Sequence, residues 1–169
     1  MIISLIIVVV SILLDGILTN YLPYLYTNLS IFTPLLTLIS IFMIYPFFRK
    51  KEKTYFILIF IVGIIYDLLY TNLLFFNGVL FVTIGLLIKY IYKTYEITPV
   101  RLILYIAIII SSYELLTGLV LLIYNVVPVT FYKIFYKIIN SLLLNIIYAE
   151  IIYLIIKIIP NKYKKISIN

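Results

Sequence analysis

Long apolar runs broken only by short clusters of charge constrain this chain more than any other feature. Ile2 to Leu14 and Leu102 to Ile110 contain no charged side chain and are apolar on every face. A helix on the surface of a soluble domain keeps a polar stripe, and a strand of a membrane barrel alternates polar with apolar residues. Neither pattern occurs in these runs, so helices immersed in lipid are expected. Composition agrees: 66% of residues are hydrophobic and 11% charged, where soluble domains have roughly half and about a quarter.

The apolar segments fall near 2–22, 30–48, 54–71, 74–92, 102–124 and 131–159 and predict about six transmembrane helices in an all-α integral membrane protein. A crossing takes about 20 residues, so 169 residues leave no room for a folded soluble domain. We expect a single transmembrane helical domain over 1–160 and a basic cytoplasmic tail over 161–169. Ile2 to Leu14 lacks the basic flank and small-residue cleavage site of a signal peptide and is expected to stay as a membrane helix.

Orientation follows from the bases. Arg49, Lys50, Lys51 and Lys53 join the second and third segments, Lys89, Lys93 and Arg101 flank the link between the fourth and fifth, and Lys157, Lys162, Lys164 and Lys165 end the chain. The links after the first, third and fifth segments contain no Lys or Arg. Positive charge collects on the cytoplasmic side, which predicts that both termini are cytoplasmic.

The chain contains neither cysteine nor histidine, which removes disulfides, thiolate chemistry, the usual zinc sites and imidazole acid–base catalysis. No Gly-rich phosphate loop, activated Ser or Thr nucleophile or paired-carboxylate hydrolase motif is recognisable, so neither an enzyme nor a cofactor is expected. The net charge of +7 does not argue for nucleic acid, because the bases sit at helix ends and form no water-exposed basic face. The expected surroundings are membrane lipid and protein.

Four acids, Asp15, Asp67, Glu114 and Glu150, lie within or near the apolar spans. A charged carboxylate facing lipid costs a few kcal/mol or more, so each is expected to point into the bundle, pair with a base, bind backbone donors or carry a proton. Counting along the helices places Asp15 and Asp67 in the outer half of the membrane and Glu114 and Glu150 nearer its midplane. Lys133, Lys137, Ser141 and Asn145 recur every fourth residue of the last segment and form a polar stripe expected to face protein. A bridge from Lys133 or Lys137 to Asp15 or Asp67 is geometrically reasonable. The acids are read either as hydrogen-bond anchors between helices or as a staggered proton or cation pathway.

The stretch Gly63-Ile64-Ile65-Tyr66-Asp67-Leu68-Leu69-Tyr70-Thr71-Asn72-Leu73-Leu74 resembles the signature of the MreD family of rod-shape-determining proteins. That signature has a glycine three residues before an apolar or aromatic position and an aspartate, then Tyr-Thr and a Leu-containing turn. The family continues with Leu-Gly, where this chain has Leu74-Phe75. Ser141 and Asn145 match a Pro-Thr, three apolar residues and Asn pattern in the last helix, with Asn140 at the proline position, and Pro34 resembles a proline near the second helix.

The resemblance implies a six-helix fold similar to the S component of energy-coupling factor transporters. It also implies a non-enzymatic scaffold in the bacterial cytoplasmic membrane that binds MreC and assembles with MreB, RodA and a class B penicillin-binding transpeptidase for lateral peptidoglycan synthesis. The alternatives are a vitamin-binding S component, with Asp15, Asp67, Lys137 and Asn77 as candidates for an outer cavity, and a small proton-coupled transporter. Against the S component, the first helix has no alanine for the Ala-x-x-x-Ala surface of that class.

Overall fold

The computed structural model describes residues 2–25, 33–71, 73–123 and 131–158; the tail expected at 161–169 lies outside them. Six helices follow one another: α1 (Ile2–Leu25), α2 (Leu36–Phe48), α3 (Glu52–Tyr70), α4 (Phe76–Thr94), α5 (Pro99–Ile123) and α6 (Phe131–Ile158). Among the described residues no strand is present. Five of the six helices are long and apolar enough to cross a membrane.

α2 is the exception. It was expected to begin near residue 30, but residues 33–35 are not helical and the helix starts at Leu36. Proline biases its predecessor away from helical geometry and has no N–H to give to a preceding turn, so Pro34 holds the chain open there. Thirteen residues remain, or about 20 Å of helix, against a hydrocarbon core of about 30 Å.

This short helix is the centre of the molecule. Every residue from Leu36 to Tyr45 is buried, and α2 packs against α1, α3, α4 and α6. A helix that is apolar all round is stable where neighbours cover every side. The other five close a ring around it. α3 packs on α4, α4 on α5 and α5 on α6. Tyr148 of α6 reaches Ser11 of α1, and Tyr70 of α3 donates to the Ile12 carbonyl of α1.

The α3–α4 hairpin is the tightest pair. A Cβ on Gly63 would fall 2.5 Å from Gly78 Cα and 2.6 Å from the Asn77 carbonyl oxygen, so the two backbones touch where a side chain would separate them. At the far end of the hairpin Lys89 bridges Glu52 at 2.6 Å. Beside it an aromatic cluster of Phe42, Tyr45, Phe48, Tyr55, Phe56 and Tyr92 closes over the last turns of α2, and the Tyr55 hydroxyl donates to the Ile41 carbonyl at 3.1 Å.

Candidate functional site: two carboxylate-capped helix starts

A helix that begins inside an apolar bundle presents N–H groups with no earlier turn to bond and no water to replace it. At the start of α2 those groups are met by side chains from other helices. Asp15 of α1 accepts from the Leu36 N–H at 2.8 Å through Oδ1 and from the Thr37 N–H at 2.9 Å through Oδ2. Asn145 of α6 accepts from the Leu35 N–H at 2.9 Å, and its amide donates to the Thr33 carbonyl at 3.2 Å and the Ser141 carbonyl at 2.8 Å. Pro34 has no N–H to satisfy. Asp15 and Asn145 are both essentially inaccessible, and a carboxylate at a helix N-terminus also meets the positive end of the helix dipole.

Glu114 of α5 completes this cluster. Its Oε1 accepts from the Thr33 hydroxyl at 2.8 Å, and its Oε2 pairs with Lys137 Nζ at 2.9 Å. The expected bridge from Lys137 to Asp15 or Asp67 does not form: both aspartates are taken up by backbone and amide donors, and Glu114 is the acid that meets the first turns of α6. Glu114 therefore lies level with the start of α2, not deeper than Asp15 as counting along the helices suggested. The linear count fails because α5 begins early, at Pro99.

The second cluster caps α4. Asp67, 0% exposed, accepts from the Asn77 N–H at 2.9 Å, from the Asn77 side-chain amide at 2.7 Å and from the Thr71 hydroxyl at 2.9 Å. Tyr113 of α5 donates to Asn77 Oδ1 at 2.8 Å, so three helices meet on one buried aspartate–asparagine pair. Gly63 supplies the close approach, Tyr66 packs its ring on Phe81 and Tyr70, and Tyr70 ties α3 to α1. The turn itself passes through Phe75 at φ 67°, a left-handed conformation that favours glycine. The departure from Leu-Gly thus falls on the one non-glycine residue with positive φ among those described. The Phe75 ring stacks on Phe60 at 6.5 Å.

Below the α2 cap, Ser11, Ser40 and Tyr148 form a triangle of hydroxyls joining α1, α2 and α6, with Tyr148 2.6 Å from Ser11 and 3.1 Å from Ser40. Ser11 also donates to the Ile7 carbonyl.

The polar stripe of α6 divides. Ser141 and Asn145 are buried, Lys137 is half-buried and Lys133 is exposed, so only its inner part faces protein. Glu150 does not point into the bundle: it is exposed on the outer side of α6, because the ring geometry turns Ala149 and Ile152 inward and Glu150 away. The four residues considered for an outer cavity divide between the two clusters, and each is taken up by a partner within the bundle. Asp67 and Asn77 bind each other, Asp15 binds α2 and Lys137 binds Glu114. No group of three potential metal ligands occurs among the described residues.

Thr33, Ser11, Ser40, Tyr113 and Tyr148 were not singled out from sequence. The available signal was weak: a hydroxyl inside an apolar run, in a chain with 18 tyrosines. Comparison with protein-family models, with curated proteins and with solved structures finds no match to this chain.

Proposed function

We propose that the chain is a non-enzymatic scaffold of the MreD type. In this reading it lies in the bacterial cytoplasmic membrane with both termini inside, captures MreC, and joins MreB, RodA and a class B penicillin-binding transpeptidase in the machinery of lateral wall synthesis. The observation that carries the reading is the use made of the buried carboxylates. Asp15 and Asp67 each close on the backbone at a helix start, an architectural task that fixes helices relative to one another and presents a constant outer surface to partners.

Membrane helices gain little from the hydrophobic effect among themselves and are held by close packing and interhelical hydrogen bonds. The Gly63–Gly78 contact and the two carboxylate caps supply both. The resemblance around Asp67 adds the choice of assembly, and an S-component-like arrangement of six helices belongs to the same proposal.

The test is affinity capture of the tagged protein from its native membrane in mild detergent, read by mass spectrometry. Recovery of MreC together with wall synthases is the expected result. Recovery of a coupling subunit with two ATPases instead would overturn the scaffold and make the chain a substrate-binding component.

A further inference from the structure

Glu150 is the one acid of the four that the bundle does not use. Two residues before it, Tyr148 hydrogen-bonds Ser40 in the first half of α2, so Glu150 lies about 3 Å further along α6, level with the body of the central helix. It is about 10 Å short of Lys157 in the last turn of α6. It is exposed, and among the described residues it has no hydrogen-bond or ion-pair partner. Its neighbours on that face, Leu143, Ile147, Ile151 and Leu154, are large, apolar and exposed.

A carboxyl held against hydrocarbon needs a hydrogen-bonding partner. The exposed bases on the described helices, Lys53, Lys93, Arg101, Lys133 and Lys157, all sit in the first or last turns, and Arg49, Lys50 and Lys51 lie between α2 and α3, so none of them shares its depth. Leu143, Ile147, Glu150 and Leu154 are spaced four, three and four residues apart, the seam of two parallel helices that cross at a shallow left-handed angle.

We propose that this α6 face is the contact between two copies of the chain, related by a two-fold axis near Glu150. Copies inserted in one membrane share orientation, so their α6 helices run parallel and every seam residue meets its own counterpart. Each Glu150 then faces a second carboxyl at its own depth. A protonated carboxyl has both a donor and an acceptor, so the pair exchanges hydrogen bonds across the axis without a base. Leu143, Ile147 and Leu154 pack on themselves on either side. The inference rests on the chain spanning a membrane and is independent of which assembly it serves.

The absence of cysteine makes the test direct. Single variants Ile147→Cys and Leu154→Cys, with Leu68→Cys and Leu104→Cys as exposed controls on α3 and α5, are oxidised in native membranes. Disulfide formation requires Cα atoms within about 7 Å. The expected result is a covalent dimer of twice the monomer mass at 147 and 154 and none above background at 68 and 104. In the Ile147→Cys background, Glu150→Leu should lower the dimer yield about threefold or more, the size of an interhelical polar contact in a membrane, and Glu150→Gln, which keeps a donor and an acceptor, should retain it. Dimer yields at 147 and 154 no higher than at the controls overturn the proposal. So does an adduct of any other mass, which assigns the face to a different protein, or a Glu150→Leu yield equal to that of the parent. Capture of MreC fails or succeeds separately from all of these.

Discussion

Asp15 on α1 accepts the Leu36 N–H at 2.8 Å and so caps a helix that begins 21 residues further along the chain. Backbone groups that cannot reach water thereby depend on one side chain. Asp15→Leu should strand the Leu36 and Thr37 N–H groups, at about 1–3 kcal/mol for each buried orphan, and lower the melting temperature of the detergent-solubilised protein. Asp15→Asn keeps an acceptor and should lose about half as much or less. Equal melting of Asp15→Leu and the parent would show that the α2 start finds other acceptors.

The Asp67 cap joins three helices, so its loss should spread. Asp67→Leu removes the acceptor of the Asn77 N–H, the Asn77 amide and the Thr71 hydroxyl at once, and is expected to lower stability and, on the scaffold reading proposed above, to weaken MreC capture. Tyr113→Phe removes only the donor to Asn77 Oδ1 and should cost about 1 kcal/mol. The double variant should melt close to Asp67→Leu alone, since the two changes share one network. Strict additivity would argue that Tyr113 and Asp67 act separately.

The sequence made helices, their number and most of their limits readable because lipid demands long apolar runs and charges gather at their ends. It did not reveal which helix is central. α2 resembles its neighbours in composition, and in a chain where nearly every segment is apolar all round, periodicity carries no information about facing. The acids show the same division. Asp67 caps a turn that follows it closely in sequence, whereas the Glu114–Lys137 pair and the outward turn of Glu150 depend on ring order and helix rotation, which no local pattern encodes.

Two glycines in contact need not be equally intolerant. A Cβ on Gly63 meets the backbone of Gly78 and Asn77 at 2.5–2.6 Å, whereas one on Gly78 meets only the Phe60 and Ile64 side chains, at 3.3 Å or more. Backbone in a tight helix pair cannot step aside, but a ring can. Gly63→Ala should therefore destabilise by about 1–3 kcal/mol and Gly78→Ala by clearly less. Thermal melting of the two single variants decides it; the reverse order would mean that the hairpin opens on the Gly63 side.

Phe75 offers a test in the stabilising direction. Its φ of 67° costs an L-residue roughly 1–2 kcal/mol, and glycine is free of that cost. Against this, glycine loses the stack on Phe60 and more unfolded-chain entropy. Phe75→Gly should melt at or above the parent temperature, while Phe75→Val, β-branched and poorly suited to positive φ, should melt below it. A Phe75→Val variant as stable as the parent would show that the turn has an alternative path.

The Glu114–Lys137 pair separates the value of an ion pair from the cost of breaking one. Glu114 is 2% exposed and Lys137 31%, so Lys137→Met leaves a nearly dry carboxyl held, among the described residues, by the Thr33 hydroxyl at 2.8 Å. Removing one partner of such a pair typically costs about 3–5 kcal/mol, whereas replacing both by apolar or neutral groups of similar size is often close to neutral. Lys137→Met is therefore expected to be the less stable variant, and Glu114→Gln combined with Lys137→Met should recover much of the loss, because the glutamine amide still accepts from Thr33. Denaturation of the two single variants and the double variant gives the coupling directly. Recovery in the double variant fits a pair retained for placing α5 and α6 around the α2 start; a double variant less stable than either single would mean that the charges themselves hold the bundle together.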